Sequence, residues 1–439
     1  MKFLSFLYEK TSLVSNDTIK QSGDNLTKEI ERIKSARSAQ YNTPYAFINL
    51  PEDMALRQTM RQLAEQKKMF RPTALVVIGI GGSNLGTMAV HEALFGKLYN
   101  NHDPDMKVYF ADTVDTDYIW DIVLLVEQEL EKRNNVIINV ISKSGTTTET
   151  VANFELFLEL LQRYDPINYR DYVVVTTDEH SSLWQLAQKE QLDCLVIPQQ
   201  VGGRYSVLSA VGLFPLALLG VDIDALHAGA QSIMPMATDT NITHNYPALS
   251  AIILHAQHAN DFTIHDTFLF SVDLEGLGKW YRQLMGESIG KEYTRDNKQK
   301  FIGMTPTVSV GSIDLHSVGQ LYLGGPYDKV TTFVSVAQNK SNLVLPNIPD
   351  YEKLVAKIQG KSLASVMDAI IQGVQRAYHT HKRPYVSVVL PEKTAYYIGQ
   401  FLQFKMMEMA YLGYLLEVNP FDQPQVELYK KETKEILAS

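Results

Sequence analysis

Cysteine is almost missing from this chain, because Cys194 is the only one among 439 residues. A single cysteine excludes a disulfide within the chain and is typical of a reducing compartment. Cys194 begins an apolar run at 194–198. We therefore interpret it as a small buried thiol rather than as a nucleophile.

The chain also has fewer basic than acidic residues. The 40 lysine and arginine residues are outnumbered by 49 aspartate and glutamate residues, which gives a formal net charge of −9. Because proteins that bind nucleic acid need a basic face, this balance argues against nucleic acid as the main partner. A phosphate ligand would have to be held by local positive charge or by backbone N–H groups.

The chain also lacks a long apolar run. Its longest uncharged stretch, between Arg204 and Asp222, is short for a membrane span and contains Pro215, so a buried helix is the better interpretation. The apolar start at residues 1–8 is followed by Glu9 and Lys10, without a cleavage site of the signal-peptide type. These absences predict a cytoplasmic protein with no membrane partner.

What the chain does contain is a repeated alternation of strand and helix patterns. Residues 1–70 are polar and helical in pattern, and apolar runs then predict strands at 74–80, 107–111, 135–141, 172–176 and 194–198. A second series starts near residue 262, with strands predicted at 267–272, 330–336 and 385–390 and a long helix at about 393–417. Apolar strands that alternate with helices predict parallel sheets covered on both faces.

This alternation predicts an α/β protein with two α/β domains. The boundaries that we predict are a helical N-terminal segment at 1–70, a first domain at 71–230, a helical connection at 231–261 and a second domain with C-terminal helices at 262–439.

The loop at 142–150 reads SKSGTTTET, and six of its nine residues carry a hydroxyl. It lies between a predicted strand and a helical run at 151–161. Free N–H groups at a helix start, together with side-chain hydroxyls, can surround a phosphate. A simple helix cap needs only one serine or threonine, so we favour a phosphate site.

A glycine-rich segment, GIGGSNLG at 79–86, directly follows the first strand of the sheet. Its glycines allow close approach of a ligand, and Ser83 suits a sugar hydroxyl or a phosphate oxygen. A dinucleotide site requires glycine where Asn84 stands, although Asp112 at the end of the next strand keeps that alternative open. A P-loop at 286–291 (GESIGK) is one residue short and is followed by Glu292 instead of serine or threonine.

Charged residues of potential chemical use stand in four further motifs. Arg204 follows two glycines near the predicted carboxyl edge of the sheet, and Glu287 follows an apolar run as a candidate general base. His316 and Lys430 are the other two candidates. His255 and His258 can share a helix face, but no third ligand has suitable spacing, so we predict no metal.

Taken in order, these motifs resemble those of the glucose-6-phosphate isomerase (phosphoglucose isomerase) family, in its compact bacterial form. The matching segments are GIGGSNLG at 79–86, SKSGTTTET at 142–150, GGRYS at 202–206, ESIGK at 287–291, residues 316–320, and NPFDQPQVELYK at 419–430. The resemblance implies two sugar-isomerase domains, each a parallel sheet flanked by helices, in a homodimer with a shared active site. It also implies aldose–ketose isomerisation of glucose 6-phosphate and fructose 6-phosphate, in glycolysis and gluconeogenesis, without a cofactor.

The resemblance assigns a role to each candidate. Glu287 would move a proton between C2 and C1, and Arg204 would stabilise the enediolate. His316, from the neighbouring subunit, and Lys430 would assist ring opening. Positions implied in substrate binding are Gly82, Ser83, Ser142, Lys143, Ser144, Thr147, Glu149 and Gln423.

Two departures from the family pattern stand out. Gln425 occupies a position where the family commonly has glycine, and the stretch 292–313 is interpreted as a surface insertion. Two alternatives stay open: a non-catalytic regulator that binds sugar phosphates, and an isomerase of another phosphosugar, such as mannose 6-phosphate or an amino sugar. A regulator would have no reason to retain the four charged candidates together.

Overall fold

The structure is a computed structural model that describes residues 3–438. Its strands are β1 (Ser5–Leu7), β2 (Pro72–Ile78), β3 (Lys107–Ala111), β4 (Asn135–Ile141), β5 (Val173–Thr177), β6 (Asp193–Val196), β7 (Ile264–Leu269), β8 (Lys291–Tyr293), β9 (Gln299–Ile302), β10 (Thr305–Val310), β11 (Lys329–Gln338) and β12 (Tyr385–Glu392). Its helices are α1 (Asn16–Ser38), α2 (Met54–Lys68), α3 (Leu85–Phe95), α4 (Thr116–Glu131), α5 (Thr148–Tyr164), α6 (Ser182–Glu190), α7 (Ala210–Leu218), α8 (Ile223–Ala237), α9 (Tyr246–Ala259), α10 (Glu275–Ile289), α11 (Gly319–Gly324), α12 (Leu363–Thr380), α13 (Ala395–Leu415) and α14 (Val426–Leu437).

The first sheet has the strand order β3-β2-β4-β5-β6, and all its strands are parallel. Both faces are buried, which explains why β4 reads as an almost continuous apolar run. Alternate residues of β2 enter two different cores: Val76 packs with residues of α4 and α5, and Val77 packs with residues of α3 and α7. The predicted α/β layering is therefore confirmed for this half.

The second sheet has the order β1-β12-β11-β7-β10 and is parallel apart from β1, which pairs antiparallel with β12. One face packs aromatic side chains, including Phe268 and Phe333, against α12. The other face contributes Val334 and Val388 to the same core that contains Val77 of the first sheet. One continuous core thus joins the two halves, with the buried helix α13 inside it.

The structure differs from the sequence prediction in two places. Residues 5–7, within the segment predicted to be helical, form β1, whose single buried side chain, Phe6, gives too short a pattern to recognise. Residues 305–310, within the predicted surface insertion, form β10 at the edge of the second sheet. Only the hairpin of β8 and β9 fits the description of an insertion at the surface.

Of two smaller predictions, the buried helix is confirmed and the buried thiol is confirmed only in part. The uncharged run before Asp222 contains α7, in which every residue is buried. The Cys194 thiol is half-buried, and burial raises its pKa to about 11, so it is a poor nucleophile. Within residues 3–438, no helix is both long enough and apolar enough to cross a membrane.

Candidate active site

Helix α10 carries Glu287 in its last turn. The helix forms because apolar side chains recur at helical spacing, so that Leu277, Tyr281 and Leu284 are all buried on one side. Glu287, three residues after Leu284, lies at the edge of this buried face, and its side chain is 30% exposed. The helix ends at Gly290, directly before β8. A carboxylate is thus held on a rigid element with access to solvent.

Arg204 is the group that brings distant parts of the sequence together. Its guanidinium is fully buried and makes five hydrogen bonds, which matches its five N–H groups. Nη1 donates to Glu287 Oε2 at 3.2 Å and to Gln423 Oε1 at 2.7 Å. The remaining bonds, from Nε and Nη2, are to Ser288 Oγ at 2.9 Å, the Pro420 carbonyl at 2.6 Å and the Asp422 carbonyl at 3.0 Å. The predicted residues Arg204, Glu287 and Gln423 therefore form one cluster.

The glycine-rich loop reaches this cluster because Gly82 has no side chain. A Cβ at Gly82 would lie only 2.2 Å from the Gly203 carbonyl carbon, so the two loops touch through their backbones. Ser206 Oγ donates to the Gly82 carbonyl at 3.3 Å and strengthens the contact. Ser83 follows on this loop and is half-buried. The motifs at 79–86 and 202–206 are thus direct neighbours.

Sequence reasoning missed Gln283, which lies one helical turn before Glu287. Its Nε2 donates to Glu287 Oε1 at 3.0 Å, so both carboxylate oxygens of Glu287 are held. A Cβ at Gly81, where φ is +58°, would lie 2.9 Å from the same Nε2, which places the glycine-rich loop against Gln283. The i, i+4 spacing to Glu287 on one helix was the available signal.

The hydroxyl-rich loop follows β4 and leads into α5, as predicted. Ser142 Oγ and Thr147 Oγ1 share a hydrogen bond of 3.0 Å, and the Gly145 N–H donates to Ser142 Oγ at 3.1 Å. Gly145 has φ +70°, a conformation that favours glycine. Thr147 precedes α5 without capping it through its side chain, which leaves N–H groups of the first turn without a side-chain cap.

Lys143 is turned towards backbone rather than into this loop. Its Nζ donates to the carbonyls of Gln199 at 2.6 Å and Val201 at 3.0 Å, which ties the hydroxyl loop to the segment before Arg204. Burial lowers the pKa of Lys143, an effect that the nearby Asp178 carboxylate opposes. Burial in turn raises the pKa of Asp178 to about 6.

Glu149 and Lys430 line the same cavity in a second part of the candidate site. Helix α14 lies over the hydroxyl loop, and a cavity of about 340 Å³ between them is lined by Ser144, Thr147, Glu149 and Lys430, among others. Lys430 is partly exposed and pairs with Glu427 at 2.8 Å. The structure thus brings Lys430 to the hydroxyl loop rather than to Glu287.

His316 lies apart from Glu287 within the chain. It ends a 3-10 turn, Ile313–His316, which follows the carboxyl end of β10. Glu287 lies beside the other end of that strand, since a Cβ at the adjacent Gly286 would be 3.7 Å from Pro306 Cγ. The strand rise puts about 13 Å between Pro306 and Val310 alone. Within the described residues, the His316 ring has no hydrogen bond or ion pair.

The structure also bears on the rival interpretations. Residues 286–289 are helical, so the segment GESIGK has the wrong backbone for a phosphate-binding P-loop. Asp112 accepts a hydrogen bond from Asn84 Nδ2 at 3.1 Å and is therefore engaged by the glycine-rich loop itself. Among residues 3–438, no three His, Cys, Asp or Glu side chains are grouped so that they could hold a metal ion.

A buried arginine that orients a carboxylate on one helix, next to a hydroxyl-rich strand-to-helix loop suited to an anion, defines an α/β protein with a candidate site at the carboxyl ends of its strands. The phosphoglucose isomerase family model matches residues 66–439. The chain belongs to the phosphoglucose isomerase family.

Individual relatives agree with this assignment. The chain is 34% identical to glucose-6-phosphate isomerase of Carboxydothermus hydrogenoformans over 92% of its own length and 87% of that protein. It is 33% identical to the enzyme of Caldanaerobacter subterraneus over 98% and 94%. Among solved structures, a hypothetical protein of Thermus thermophilus is 30% identical and covers both chains fully with a TM-score of 0.86. A glucose-6-phosphate isomerase of Chlamydia trachomatis, 22% identical over 99% of this chain and 88% of that one, has a TM-score of 0.83 and shows the same fold.

Proposed function

We propose that this chain is an aldose–ketose isomerase that interconverts glucose 6-phosphate and fructose 6-phosphate, a step of glycolysis and gluconeogenesis. The single observation that carries the proposal is the Glu287 carboxylate, held by Gln283 and by a buried, fully bonded Arg204. Membership of the phosphoglucose isomerase family and the identity of the curated relatives support the choice of substrate.

The chemistry follows from these groups. Glu287 removes the proton from C2 of the open-chain aldose, and the C–H electrons form the C1=C2 bond of an enediolate with its charge on O1. Arg204 stabilises that charge. Glu287 then returns the proton to C1, while the O2 proton moves to O1 and leaves the ketone at C2. Hydrogen only changes position, so the reaction needs no redox cofactor.

The phosphate is bound away from the reacting carbons. The hydroxyl loop supplies Ser142, Ser144 and Thr147, with N–H groups of α5, and the loop at Gly82 and Ser83 adjoins the sugar. Binding energy at the phosphate positions C1 and C2 over Glu287. Gln423 holds Arg204 and contacts the sugar, and Lys430 and Glu149 lie where α14 closes over the loop.

His316 takes part only if a second copy of the chain supplies it. Its separation from Glu287 along β10 supports a homodimer with a shared active site. Ile313 and Leu321, on either side of His316, are 62% and 48% exposed, which suits a protein partner. The proposed location is the cytoplasm, in keeping with a single free thiol. The net charge of −9 favours a small substrate over nucleic acid.

The test is a coupled assay of the purified chain with fructose 6-phosphate, in which glucose 6-phosphate is detected by its dehydrogenase. Mannose 6-phosphate and glucosamine 6-phosphate are run in parallel. We expect the glucose–fructose pair to have the highest kcat/KM. Binding of these sugars without turnover would favour the regulator, and faster turnover of another phosphosugar would move the assignment to that substrate.

A further inference from the structure

We propose that Lys291 is a positioning residue for the isomerisation, because its ammonium links the end of α10, which carries Glu287, to the turn that carries Gln423. The inference rests on the proposed function and adds to it a residue that contacts neither substrate nor reacting atoms.

The Lys291 ammonium uses all three of its N–H groups within the protein. Nζ donates to the Glu287 carbonyl at 2.8 Å, to the Asp422 carbonyl, and to Asp422 Oδ1 at 3.0 Å. Its side chain is only 5% exposed. A buried, fully bonded ammonium has a defined position and no donor left for a substrate, so its effect on catalysis must pass through the residues that it holds.

The turn at 419–425 is held from two sides. The Asp422 carbonyl accepts from Lys291 and also from Arg204 Nη2 at 3.0 Å. Asp422 Oδ2 accepts from Asn419 Nδ2 at 2.6 Å, which stiffens the turn internally. Since the Pro420 carbonyl and Gln423 Oε1 also accept from Arg204, a shift of this turn would move three of the five partners of the guanidinium.

The hairpin that begins with Lys291 adds two further links to the same part of the chain. Gln425 Nε2 donates to Glu292 Oε2 at 3.3 Å, and the Arg295 N–H donates to the Glu417 carbonyl at 2.7 Å. Glu292 and Arg295 are at the surface, whereas Lys291 is buried. The hairpin therefore holds the 419–425 turn in place, and Lys291 connects that turn to the end of α10.

The test compares Lys291→Met, which keeps the chain length but removes the donors, with Lys291→Arg, which keeps the charge. Lys329→Met is the matched control, because the Lys329 side chain is also largely shielded (10% exposed) and forms an ion pair, with Asp328, at the start of β11. For each variant, kcat and KM with fructose 6-phosphate and the thermal midpoint of unfolding are measured.

We expect Lys291→Met to lower kcat by about tenfold or more with KM within about twofold, since misplacement of Glu287 and Arg204 acts on the chemical step. Lys291→Arg should regain part of that loss, and Lys329→Met should retain wild-type kcat.

Wild-type kcat in Lys291→Met, a rise in KM alone, or an equal kcat loss in Lys329→Met would each overturn the inference. If Lys291→Met does not fold, Asp422→Asn provides the second arm: it removes the carboxylate partner but keeps the carbonyl, and wild-type kcat in that variant overturns the inference too. A wild-type chain that does not isomerise fructose 6-phosphate would instead count against the proposed function.

Discussion

At the scale of single residues, Arg204 explains how a glutamate at the end of a helix is given a fixed orientation. All five of its N–H groups are bonded, so the guanidinium has no freedom to rotate. Because no N–H group is left over, we propose that Arg204 acts on an enediolate through its fixed positive charge, which needs no reorganisation as the negative charge develops.

A buried histidine, His227, contributes to the loss of stability at acid pH. His227 is completely buried, its Nε2 contacts the Leu208 carbonyl at 3.0 Å, and its Nδ1 contacts Arg57 Nη1 at 3.2 Å, an arrangement that suits the neutral ring. Burial lowers its pKa to about 4. Between pH 6.5 and 4 the unfolded chain binds a proton that the folded chain does not, so the free energy of unfolding falls as pH falls.

We expect this one site to account for about 3 kcal/mol across that window. Urea unfolding of wild type and His227→Gln at pH 7 and pH 5 measures the part of this contribution above pH 5, about 2 kcal/mol, with the exposed His102→Gln as control. The loss of stability between the two pH values should be smaller in His227→Gln than in wild type. Equal losses in the two proteins would contradict the assignment.

The sequence predicted the charged residues of the cluster better than their supports. Arg204, Glu287 and Gln423 each stand in a recognisable motif, and the structure brings them together. Gln283 and Lys291 were not assigned roles, because a glutamine and a lysine at ordinary helix and hairpin positions resemble surface residues until their neighbours are known. The hydrogen bond from Lys291 to the Asp422 carbonyl depends on tertiary structure, so the local sequence pattern does not predict it.

At the scale of elements, the hydroxyl loop and α5 form the proposed phosphate-binding unit. Ser142→Ala combined with Thr147→Ala removes two hydroxyls that share a hydrogen bond of 3.0 Å. We expect KM for fructose 6-phosphate to rise about tenfold or more, since each lost hydrogen bond to a charged group costs about 1.5–3 kcal/mol, while kcat changes less.

The matched control is Ser15→Ala with Thr18→Ala, because these two hydroxyls share a bond of 2.9 Å at the start of α1. That double variant should keep the wild-type KM. An unchanged KM in the Ser142 and Thr147 variant would remove the phosphate role from this loop.

Strands and helices with strong apolar patterns were predictable, and elements without such a pattern were not. Strands β2, β3, β4 and β5 of the first sheet were predicted within two residues at each end, because each is a continuous or nearly continuous apolar run. β10 was missed because an edge strand with Pro306 and several hydroxyls lacks such a run. β1 was missed because three residues carry no periodicity, although pairing with β12 fixes them.

At the scale of the whole molecule, the proposed role of His316 requires a dimer, because His316 and Glu287 lie apart within one chain. Two variants, Glu287→Gln and His316→Ala, should each be nearly inactive. In a mixed dimer one site would contain both changes and the other neither. Equal mixing of the two inactive proteins, after dissociation and reassembly, should therefore restore about a quarter of wild-type activity if subunits pair at random.

The control is each inactive variant taken alone through the same dissociation and reassembly. If the mixture stays as inactive as its components although mixed dimers form, His316 does not act across subunits.

The central claim is that Glu287 is the base that moves the proton. The most direct measurement follows fructose 6-phosphate in deuterium oxide by NMR, with wild type, Glu287→Gln and, as a control, Glu159→Gln, whose side chain is exposed on α5. Wild type and Glu159→Gln should exchange the C1 hydrogen and form glucose 6-phosphate. Glu287→Gln should lose both activities by about a thousandfold while it still binds the sugar phosphate. Exchange and turnover at the wild-type rate in Glu287→Gln would contradict the account.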